Sequence, residues 1–515
     1  MPESFFRREF APRRLAFWIF WFGSHGGLFV YGFLKQKNDP ELANLNVLQL
    51  SVWMSRGAGL CLAYDGALIL LPVLRNIIKY LRLTFISRII PFDENIWFHR
   101  QVAYSMLLWT LVHTFSHYVN FWKLEIVTNG QRPAWKTHYM TWGGLTGHIM
   151  LLIMMTMYTS AHLKIRRASF ETFWYTHQLA FFFMLCLYFH GYGCFVQTKD
   201  GVCKGYRSWR FTTLSGALYL FERILREIRS RQQTQITKVV SHPANVIELQ
   251  FSKPAFHYRA GQYLFLNIPK ISRFQWHPFT ITSAPDDPYI SVHIRQVGDF
   301  TMALSDLLGC KDIKTNDSKG YDEKGYEKEK DEMIRSFDLS LSPLPSLRID
   351  GPYGAPAEDN ILYQHTNKRP SKLRRVELFW ICRDTGSFEW VQSLLKTLET
   401  TQMEKGFLKI HIYLTSKLPQ ATIENIIYND VKGDYDPLTY LTSRTHYGRP
   451  NFSSIFEQIT RNIENGDYLP GKVREVATKV GVYYCGPPPL AKSIKSEAKR
   501  ATTPSVVFNF HKENF

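Results

Sequence analysis

Long apolar stretches dominate the first 230 residues of this 515-residue chain. A helix needs about 20 apolar residues to cross the hydrocarbon core of a bilayer. Six stretches approach that length, at 15–34, 51–78, 97–121, 140–160, 170–193 and 211–228. Beyond them, short apolar segments alternate with turns and charged residues, as in water-soluble folds. We therefore predict a membrane α-helical bundle of six spans over residues 1–230, followed by soluble domains.

Basic residues indicate which ends of the spans face the cytosol, because cytoplasmic loops carry an excess of Lys and Arg. They cluster before span one, between spans two and three, between spans four and five, and after span six: Arg7, Arg8, Arg13, Arg14, Lys79, Arg82, Arg88, Arg100, Lys164, Arg166, Arg167, Arg229, Arg231 and Lys238. The basic loop at 199–210 departs from this pattern. We expect a multi-pass protein of the plasma membrane or an endomembrane with both termini cytosolic.

The net charge of +18 favours a negatively charged partner. Much of the excess lies beside the predicted spans, where anionic lipid headgroups are the nearest such partner. We therefore expect contact with membrane lipid and no binding of nucleic acid.

The seven cysteines include no CxxC pair, which argues against a zinc site. Cys194 and Cys203 both lie in the loop after span five, on the predicted outer side, where disulfides persist. Two free thiols remain the alternative, and we favour the disulfide.

Spans three and five carry histidines, which are costly inside a bilayer and usually functional there. His99 and His113 are fourteen residues apart, so about 21 Å of helix and nearly four turns place them on one face. His177 and His190 are thirteen apart, which gives a rotation of roughly 220°, so span five must be distorted to present both. A haem with two axial imidazoles takes one from each helix. Because both spans run outward, His99 should meet His177 near the inner face, and His113 should meet His190 near the outer one.

This spacing is not unique to the four predicted ligands. His148 and His162 in span four are also fourteen apart, although His162 lies beside Lys164 and Arg166 at the cytosolic boundary. Any single histidine could instead be a satisfied polar contact between helices. The haem prediction therefore depends on whether the histidines of span three lie at the same depths in the membrane as those of span five.

The soluble half contains His277-Pro-Phe-Thr-Ile-Thr-Ser-Ala-Pro and, further on, His293-Ile-Arg-Gln-Val-Gly-Asp-Phe-Thr. Together they resemble the flavin signature of the ferredoxin reductase superfamily, in its NADPH oxidase and ferric reductase branch. The resemblance implies an FAD-binding β-barrel over residues 231–349. Thr280 and Thr282 would meet the isoalloxazine and Arg295 the pyrophosphate. The other implied flavin contacts are His277, Pro278, Phe279, Ser283, Gly298, Thr301, Gly351, Tyr353 and Gly354.

Motifs over nearly the whole chain extend this resemblance. They are Trp97-Phe-His-Arg, Val112-His-Thr-Phe-Ser-His, Trp174-Tyr-Thr-His, Gly351-Pro-Tyr-Gly-Ala-Pro, Trp380-Ile-Cys-Arg-Asp-Thr-Gly, Gly448-Arg-Pro-Asn, Tyr484-Cys-Gly-Pro-Pro-Pro and a terminal Phe515. They resemble the NADPH oxidase catalytic subunit, most closely its fungal type. That implies electron transfer from cytosolic NADPH through FAD and two b-type haems to oxygen on the far side, which yields superoxide. The haem ligands would be His99, His113, His177 and His190.

The same resemblance assigns two residues to the oxygen end of the path. Arg56 and His117 would stand near the outer haem, where a positive pair favours the superoxide anion. The alternative is that Arg56 is a buried counter-charge that takes no part in catalysis.

At the NADPH end, the resemblance places Arg383 and Arg449 on the adenosine 2'-phosphate. Cys485 and Gly486 would lie beside the nicotinamide, and Phe515 would stack on the flavin. These roles suit the residue types, because guanidinium forks match phosphate and a small side chain lets nicotinamide approach.

The nucleotide-binding α/β domain, expected over 350–515, departs from the pattern of the family. Its first strand should end in a glycine-rich turn that runs into a helix and binds pyrophosphate. Residues 357–372 contain no glycine and only Ile361–Tyr363 as an apolar run. We predict that the first strand and its turn are missing, through an incomplete gene model or a deletion. Because that strand is central, its loss should open the middle of the sheet.

Residues 311–338 are rich in Lys, Asp, Glu, Asn and Ser, which predicts a disordered insertion within the barrel. It is either a solvated loop or a regulatory docking segment. No EF-hand loop precedes span one, so the resemblance implies activation by a small GTPase and an adaptor. Two alternatives to the oxidase remain: a ferric-chelate reductase built on the same parts, and a catalytically inactive membrane partner or truncated gene product.

Overall fold

A computed structural model describes most of the chain. The described residues are 12–82, 84–88, 90–205, 207–242, 245–254, 256–310, 335–336, 344–354, 374–383, 386–400, 406–417, 420, 423–424, 426, 435–468 and 477–513. The chain forms two compact units, Met1–Ile224 and Leu225–Phe515.

The first unit is helical, with a helix at each of the six predicted spans. The long helices are α1 (Pro12–Asn38), α2 (Leu50–Leu68), α3 (Asn95–Val127), α4 (Trp142–Ala161), α5 (Phe170–His177), α6 (Ala180–His190) and α7 (Trp209–Ser230), which continues into the second unit. Short helices lie at Ala43–Asn46, Arg75–Arg82, Ala134–Tyr139 and Leu163–Ala168, with 3-10 turns at Pro40–Leu42, Leu71–Val73, Phe85–Arg88, Phe92–Glu94 and Gly191–Gly193. By length and composition, three helical segments could cross a membrane within the described residues: Arg14–Asn38, Leu50–Val73 and Trp142–Ala161.

The second helix differs from the predicted span at 51–78. The α-helix ends at Leu68, and Pro72 lies in a separate 3-10 turn before a new helix begins at Arg75. Proline has no N–H for a helical hydrogen bond, which explains the break.

Glycine lets α1 and α2 approach closely, since a Cβ on Gly57 would lie 2.7 Å from the Phe29 ring.

Span five is divided into two helices, as the rotation between its histidines requires. α5 ends at His177, α6 begins at Ala180, and Gln178 and Leu179 form a turn between them. Ser169 caps the start of α5, because its hydroxyl accepts a hydrogen bond from the Thr172 amide at 3.2 Å. The predicted distortion is therefore present.

The predicted disulfide joins Cys194 and Cys203 in the loop that follows α6. An isolated bridge between Gln197 and Cys203 closes the same loop. The free-thiol alternative is wrong for these two residues.

The second unit begins with a β-barrel of two sheets. The first has the order β5-β2-β1-β6, from β1 (Gln235–His242), β2 (Val246–Ser252), β5 (Ile290–Arg295) and β6 (Arg335–Ser336). The second has the order β4-β3-β7, from β3 (Tyr263–Asn267), β4 (His277–Thr280) and β7 (Arg348–Tyr353), and all the pairs in both sheets are antiparallel. One apolar core between the sheets includes Ile247, Leu249, Leu264, Leu266 and Ile349. Helix α8 (Asp299–Leu307) packs on it. Apart from β6, the predicted insertion at 311–338 lies outside the described residues.

The α/β part contains two separate parallel sheets within the described residues. One has the order β10-β9-β8, from β8 (Val376–Cys382), β9 (Leu408–Leu414) and β10 (Thr445–Tyr447). The other pairs β11 (Thr478–Tyr484) with β12 (Val506–Lys512). Helices α9 (Gly386–Thr400), α10 (Phe452–Glu464) and α11 (Pro488–Arg500) complete the part.

The predicted loss of a central strand stays a prediction, and the strand order indicates where that strand would lie. In the doubly wound order 3-2-1-4-5, the first strand lies between the second and the fourth. With β8 and β9 as strands two and three, and β11 and β12 as four and five, that position falls between β8 and β11. Residues 357–372, which should supply the strand, lie outside the described part of the chain.

Candidate haem, flavin and nucleotide sites

The four predicted haem ligands form two pairs. The ring centroids of His99 and His177 are 6.2 Å apart, and those of His113 and His190 are 6.4 Å apart. Two imidazoles on opposite sides of one metal, with bonds of about 2 Å, have centroids about 6 Å apart. Each pair therefore has the spacing of a bis-histidine haem site, and the pairs are the ones that depth matching predicts.

Hydrogen bonds orient three of these rings through Nδ1. His99 Nδ1 lies 2.9 Å from the Ile69 carbonyl oxygen, and His113 Nδ1 lies 3.0 Å from that of Ser55. His190 Nδ1 lies 2.8 Å from the Thr146 hydroxyl. Such bonds fix the tautomer and leave Nε2 for a metal. Thr146 was missed by the sequence analysis, and its place in an apolar span was the available signal.

Two glycines face the outer pair. A Cβ on Gly59 would lie 3.3 Å from His113 Cε1, and one on Gly147 would lie 3.4 Å from His190 Cε1. Both contacts are tight, so glycine leaves room beside the rings. The donor set and this clearance fit a haem.

The competing pair in span four is excluded by its contacts. His148 Nε2 lies 2.8 Å from the Tyr118 hydroxyl, and its Nδ1 lies 2.8 Å from the Gly144 carbonyl oxygen. Both nitrogens are therefore engaged. His162 is exposed at the end of α4, where it begins the next short helix.

Arg56 and His117 lie beside the outer histidine pair. Both line one cavity together with His113 and His190. The rings of His117 and His113 are 4.5 Å apart. Arg56 is buried and donates from Nη2 to the Lys204 carbonyl oxygen at 3.3 Å. That bond ties the guanidinium to the disulfide loop and holds it beside the cavity.

The flavin motif lies on β4 and the segment after it. Thr280 and Thr282 are exposed and alternate with the buried Ile281 and Ser283. The Thr282 hydroxyl lies 2.8 Å from His293 Nδ1, so it is already engaged within the barrel. Thr280 is therefore the more accessible of the two predicted flavin contacts.

Arg295 lies at the exposed end of β5, close in sequence to the start of α8. The amides of Val297 and Gly298 donate to the Thr301 hydroxyl at 3.0 Å, which caps that helix. A helix N-terminus and an arginine form a suitable site for pyrophosphate.

Several other predicted flavin contacts are packing residues of the barrel. Tyr353 is 2% exposed, and its hydroxyl donates to Asp350 Oδ2 at 2.7 Å. Burial, with the nearby Asp350 charge, raises the Tyr353 pKa. The His277 ring stacks on Phe300 at 3.8 Å. The remaining positions are half-buried or, in the case of Gly351, buried: Pro278 and Phe279 on β4, Gly351 in β7, and Gly354 after it.

Asp350 joins the end of α7 to the barrel. Arg226 Nε lies 2.6 Å and Arg229 Nη2 3.0 Å from its carboxylate oxygens. The neighbouring Lys253 donates to the carbonyl oxygens of Arg229 and Ile349. Burial lowers the Lys253 pKa to about 8, against the opposing effect of Asp350.

The predicted NADPH contacts lie at the carboxyl ends of parallel strands. Arg383 follows β8 and Arg449 follows β10, and both are exposed. They flank β9 at one edge of the sheet, where ligands bind in open α/β folds. Cys485 follows β11, where burial and then the charge of Glu513 raise its thiol pKa. Gly486 has φ +152°, a conformation that L side chains rarely adopt. Phe515 lies outside the described residues.

Three family models match the chain in the order of these parts. Residues 65–188 match a ferric reductase like transmembrane component, 231–357 an FAD-binding domain, and 351–499 a ferric reductase NAD binding domain. The chain thus combines a ferric reductase-like transmembrane domain with FAD-binding and NAD-binding domains.

Named relatives match almost end to end. A superoxide-generating NADPH oxidase heavy chain of Dictyostelium discoideum is 34% identical, over 95% of this chain and 94% of the relative. NADPH oxidase 1 of Mus musculus is 32% identical, over 97% of this chain and 93% of the relative. NADPH oxidase 3 of Homo sapiens is 30% identical, over 96% and 97%. The chain is a membrane protein and belongs to the NADPH oxidase family.

Proposed function

We propose that this chain transfers electrons from cytosolic NADPH across a membrane to oxygen and forms superoxide. The observation that carries the proposal is the pairing of four histidines, with ring centroids 6.2 and 6.4 Å apart, on α3 and on the two halves of span five. That arrangement suits two haems, which a membrane-crossing electron path needs at two depths. The family relationship supplies the donor and the acceptor.

The proposed topology has six spans with both termini in the cytosol. The six helical regions and the basic residues at their inner ends support it. The proposed domains are a haem domain at 1–230, an FAD-binding barrel at 231–349 and an NADPH-binding domain at 350–515. Strand β1 begins shortly after the first boundary, whereas β7, which pairs with β3 in the barrel, crosses the second one.

The cofactors supply the redox chemistry when bound: flavin accepts hydride and gives single electrons, which the haems carry onward. His99 and His177 would hold the inner haem, and His113 and His190 the outer one. Arg295 and the start of α8 would bind the flavin pyrophosphate, and Thr280 would meet the ring. Arg383 and Arg449 would bind the 2'-phosphate, and Cys485 with Gly486 would leave room for nicotinamide.

Arg56 and His117 would stabilise the developing superoxide anion in the outer cavity. The Lys204 carbonyl and the closed disulfide loop position Arg56 before the reaction, which is the condition for electrostatic catalysis. Substitutions Arg56→Gln and His117→Gln separate an oxidase from a ferric-chelate reductase. The proposal predicts that superoxide formation falls at least tenfold in each. Loss of iron reduction with unchanged superoxide formation would instead support the reductase.

The activators and the lipid contacts are further parts of the proposal. Cytosolic proteins, including a small GTPase and an adaptor, would control the chain. Anionic headgroups would contact the basic residues beside the spans.

A difference spectrum and an NADPH assay on the purified chain test the proposal against an inactive membrane partner. We expect two bis-histidine haems and NADPH consumption that depends on FAD and activators. Haem without any NADPH consumption in the presence of activators would support the inactive partner.

A further inference from the structure

A histidine and an aspartate are buried together in the helical unit, apart from the predicted haem ligands. His25 lies on α1 and Asp65 on α2, with side chains 5% and 0% exposed. His25 Nε2 is 3.0 Å from Asp65 Oδ1. Ionisable residues at such positions are costly in a membrane protein and usually serve transport of ions or protons. Neither residue was predicted from the sequence, although an acidic residue within an apolar span is a clear signal.

The hydrogen bonds of this pair show where its protons reside. His25 Nδ1 lies 2.8 Å from the Trp21 carbonyl oxygen, which can only accept, so Nδ1 carries a hydrogen. A second hydrogen must lie between Nε2 and Asp65 Oδ1, since two bare acceptors would repel each other. Within the described residues, the buried Asp65 Oδ2 makes no hydrogen bond of ordinary geometry, although the Ser105 hydroxyl also acts on this carboxylate. One further proton therefore has a place to bind.

The pair lies close in depth to the inner haem site. Asp65 precedes Ile69 by about one helical turn, and the Ile69 carbonyl oxygen meets His99 Nδ1. Ser55, which meets His113, is ten residues away in the other direction, about 15 Å along a helix. An electron added at the inner site places a negative charge in a low-dielectric region, where a nearby proton compensates it strongly.

The groups that face the pair from its own and neighbouring helices are a thiol, phenols and a hydroxyl. The Cys61 thiol donates to the His25 carbonyl oxygen at 3.4 Å, and the Tyr64 ring lies 5.4 Å from the His25 ring. Tyr158 on α4 interacts electrostatically with Asp65. The Ser105 hydroxyl on α3 lies 3.0 Å from His25 Nε2 and does not titrate in this range. Among these described groups, the pair supplies the carboxylate and the imidazole, which exchange protons near neutral pH more readily than a thiol or a phenol.

We propose that His25 and Asp65 form a proton-binding site coupled to reduction of the inner haem. When the iron held by His99 and His177 gains one electron, Asp65 Oδ2 binds one proton from water. The proton is released when the electron moves on, so each cycle returns the pair to its starting state. This inference rests on the proposed function, because it requires a haem at His99 and His177.

A redox titration of the full-length, haem-loaded chain in lipid nanodiscs tests the coupling. The midpoint potential of each haem would be measured spectroscopically at several pH values, since one proton per electron gives about 59 mV per pH unit. We expect the inner haem of the native chain to approach that slope and Asp65→Asn to lose most of it. The matched control Asp39→Asn changes a half-buried carboxylate that caps the turn at Pro40–Leu42, and it should keep the native slope. Haem propionates contribute equally to all variants.

An equal slope in the native chain and Asp65→Asn would overturn the proposal, as would a flat native slope. Asp65→Asn could fail to retain haem for structural reasons, and two further measurements then test the coupling. One is the redox titration of His25→Gln. The other is proton uptake by the native chain, which an indicator dye reports during electrochemical reduction. Uptake near one proton per inner-haem electron supports the site, and no uptake refutes it. A native chain without haem would refute the proposed function itself, which separates the two failures.

Discussion

The imidazole rings of His113 and His190 face each other with centroids 6.4 Å apart, although they belong to different spans. Removing either should leave a haem with one axial ligand. We predict that His190→Ala loses the low-spin spectrum of the outer haem and keeps that of the inner one. A reduced-minus-oxidised spectrum and electron paramagnetic resonance measure this.

His148→Gln provides the matched control for ligand loss. His148 lies in the same cavity, but Tyr118 and the Gly144 carbonyl engage its two nitrogens. The variant should keep both low-spin signals. Loss of one haem in His148→Gln, with both retained in His190→Ala, would contradict the ligand assignment.

Asp350 should be important for the stability of the flavin barrel. Its carboxylate is 1% exposed and pairs with Arg226 and Arg229. Asp350→Asn leaves these cations without their counter-charge, which typically costs about 3–5 kcal/mol for a buried pair. The midpoint temperature of thermal unfolding and the retention of FAD should both fall, whereas Asp286→Asn at an exposed position should change neither. Native stability in Asp350→Asn would show that the network is dispensable.

Glu377 links the stability of the α/β part to pH. Burial alone would raise its pKa, but hydrogen bonds from His411 and Arg375 lower it from 4.5 to about 2. A depressed carboxyl pKa stabilises the fold above the unfolded value, and this contribution is lost as the pH falls from 4.5 towards 2. We predict that Glu377→Gln lowers stability by at most about 3 kcal/mol at pH 7.

Hydrogen exchange of β8 and β9 at several pH values measures that effect. The native chain and Glu377→Gln should differ at neutral pH and converge below the stated window. Glu457→Gln, at an exposed ion pair, should change stability by under about 1 kcal/mol. A stability difference between the native chain and Glu377→Gln that is as large near pH 2 as at neutral pH would contradict the proposed dependence on the Glu377 charge.

The predicted loss of the first strand and its glycine-rich turn should weaken NADPH binding. We predict that inserting an apolar strand, a glycine-rich turn and a helix within 357–372 lowers the KM for NADPH at least tenfold, because the turn supplies pyrophosphate contacts. A flexible Gly/Ser insert of equal length is the control and should leave the KM unchanged. An equal KM with both inserts would show that the position between β8 and β11 does not serve NADPH.

The helical positions, the disulfide and the four-histidine pairing could be predicted from the sequence. Apolar length indicates the helices, the shared outer loop indicates the disulfide, and matched depths on spans three and five indicate the histidine pairs. The interruption of span five followed from the rotation between His177 and His190. The partners that orient the rings were not predictable, since the Ile69 and Ser55 carbonyls carry no sequence signal. They depend on how α2 packs against α3.

Residue types at the flavin site did not predict which groups their side chains contact. Tyr353 and Thr282 fit the motif of the family, yet the structure engages their polar groups with Asp350 and His293. Alternation along a strand gives the face of a side chain but not its hydrogen-bond partner. His25 and Asp65 were missed because they lie 40 residues apart and meet only through helix packing.

The proposed electron path can be tested by anaerobic addition of NADPH to the full-length chain in lipid, loaded with FAD and haem and supplied with its activators. We expect both haems to become reduced, and we expect admitted oxygen to reoxidise them with formation of superoxide. Haems that dithionite reduces but NADPH leaves oxidised would contradict the proposed electron path.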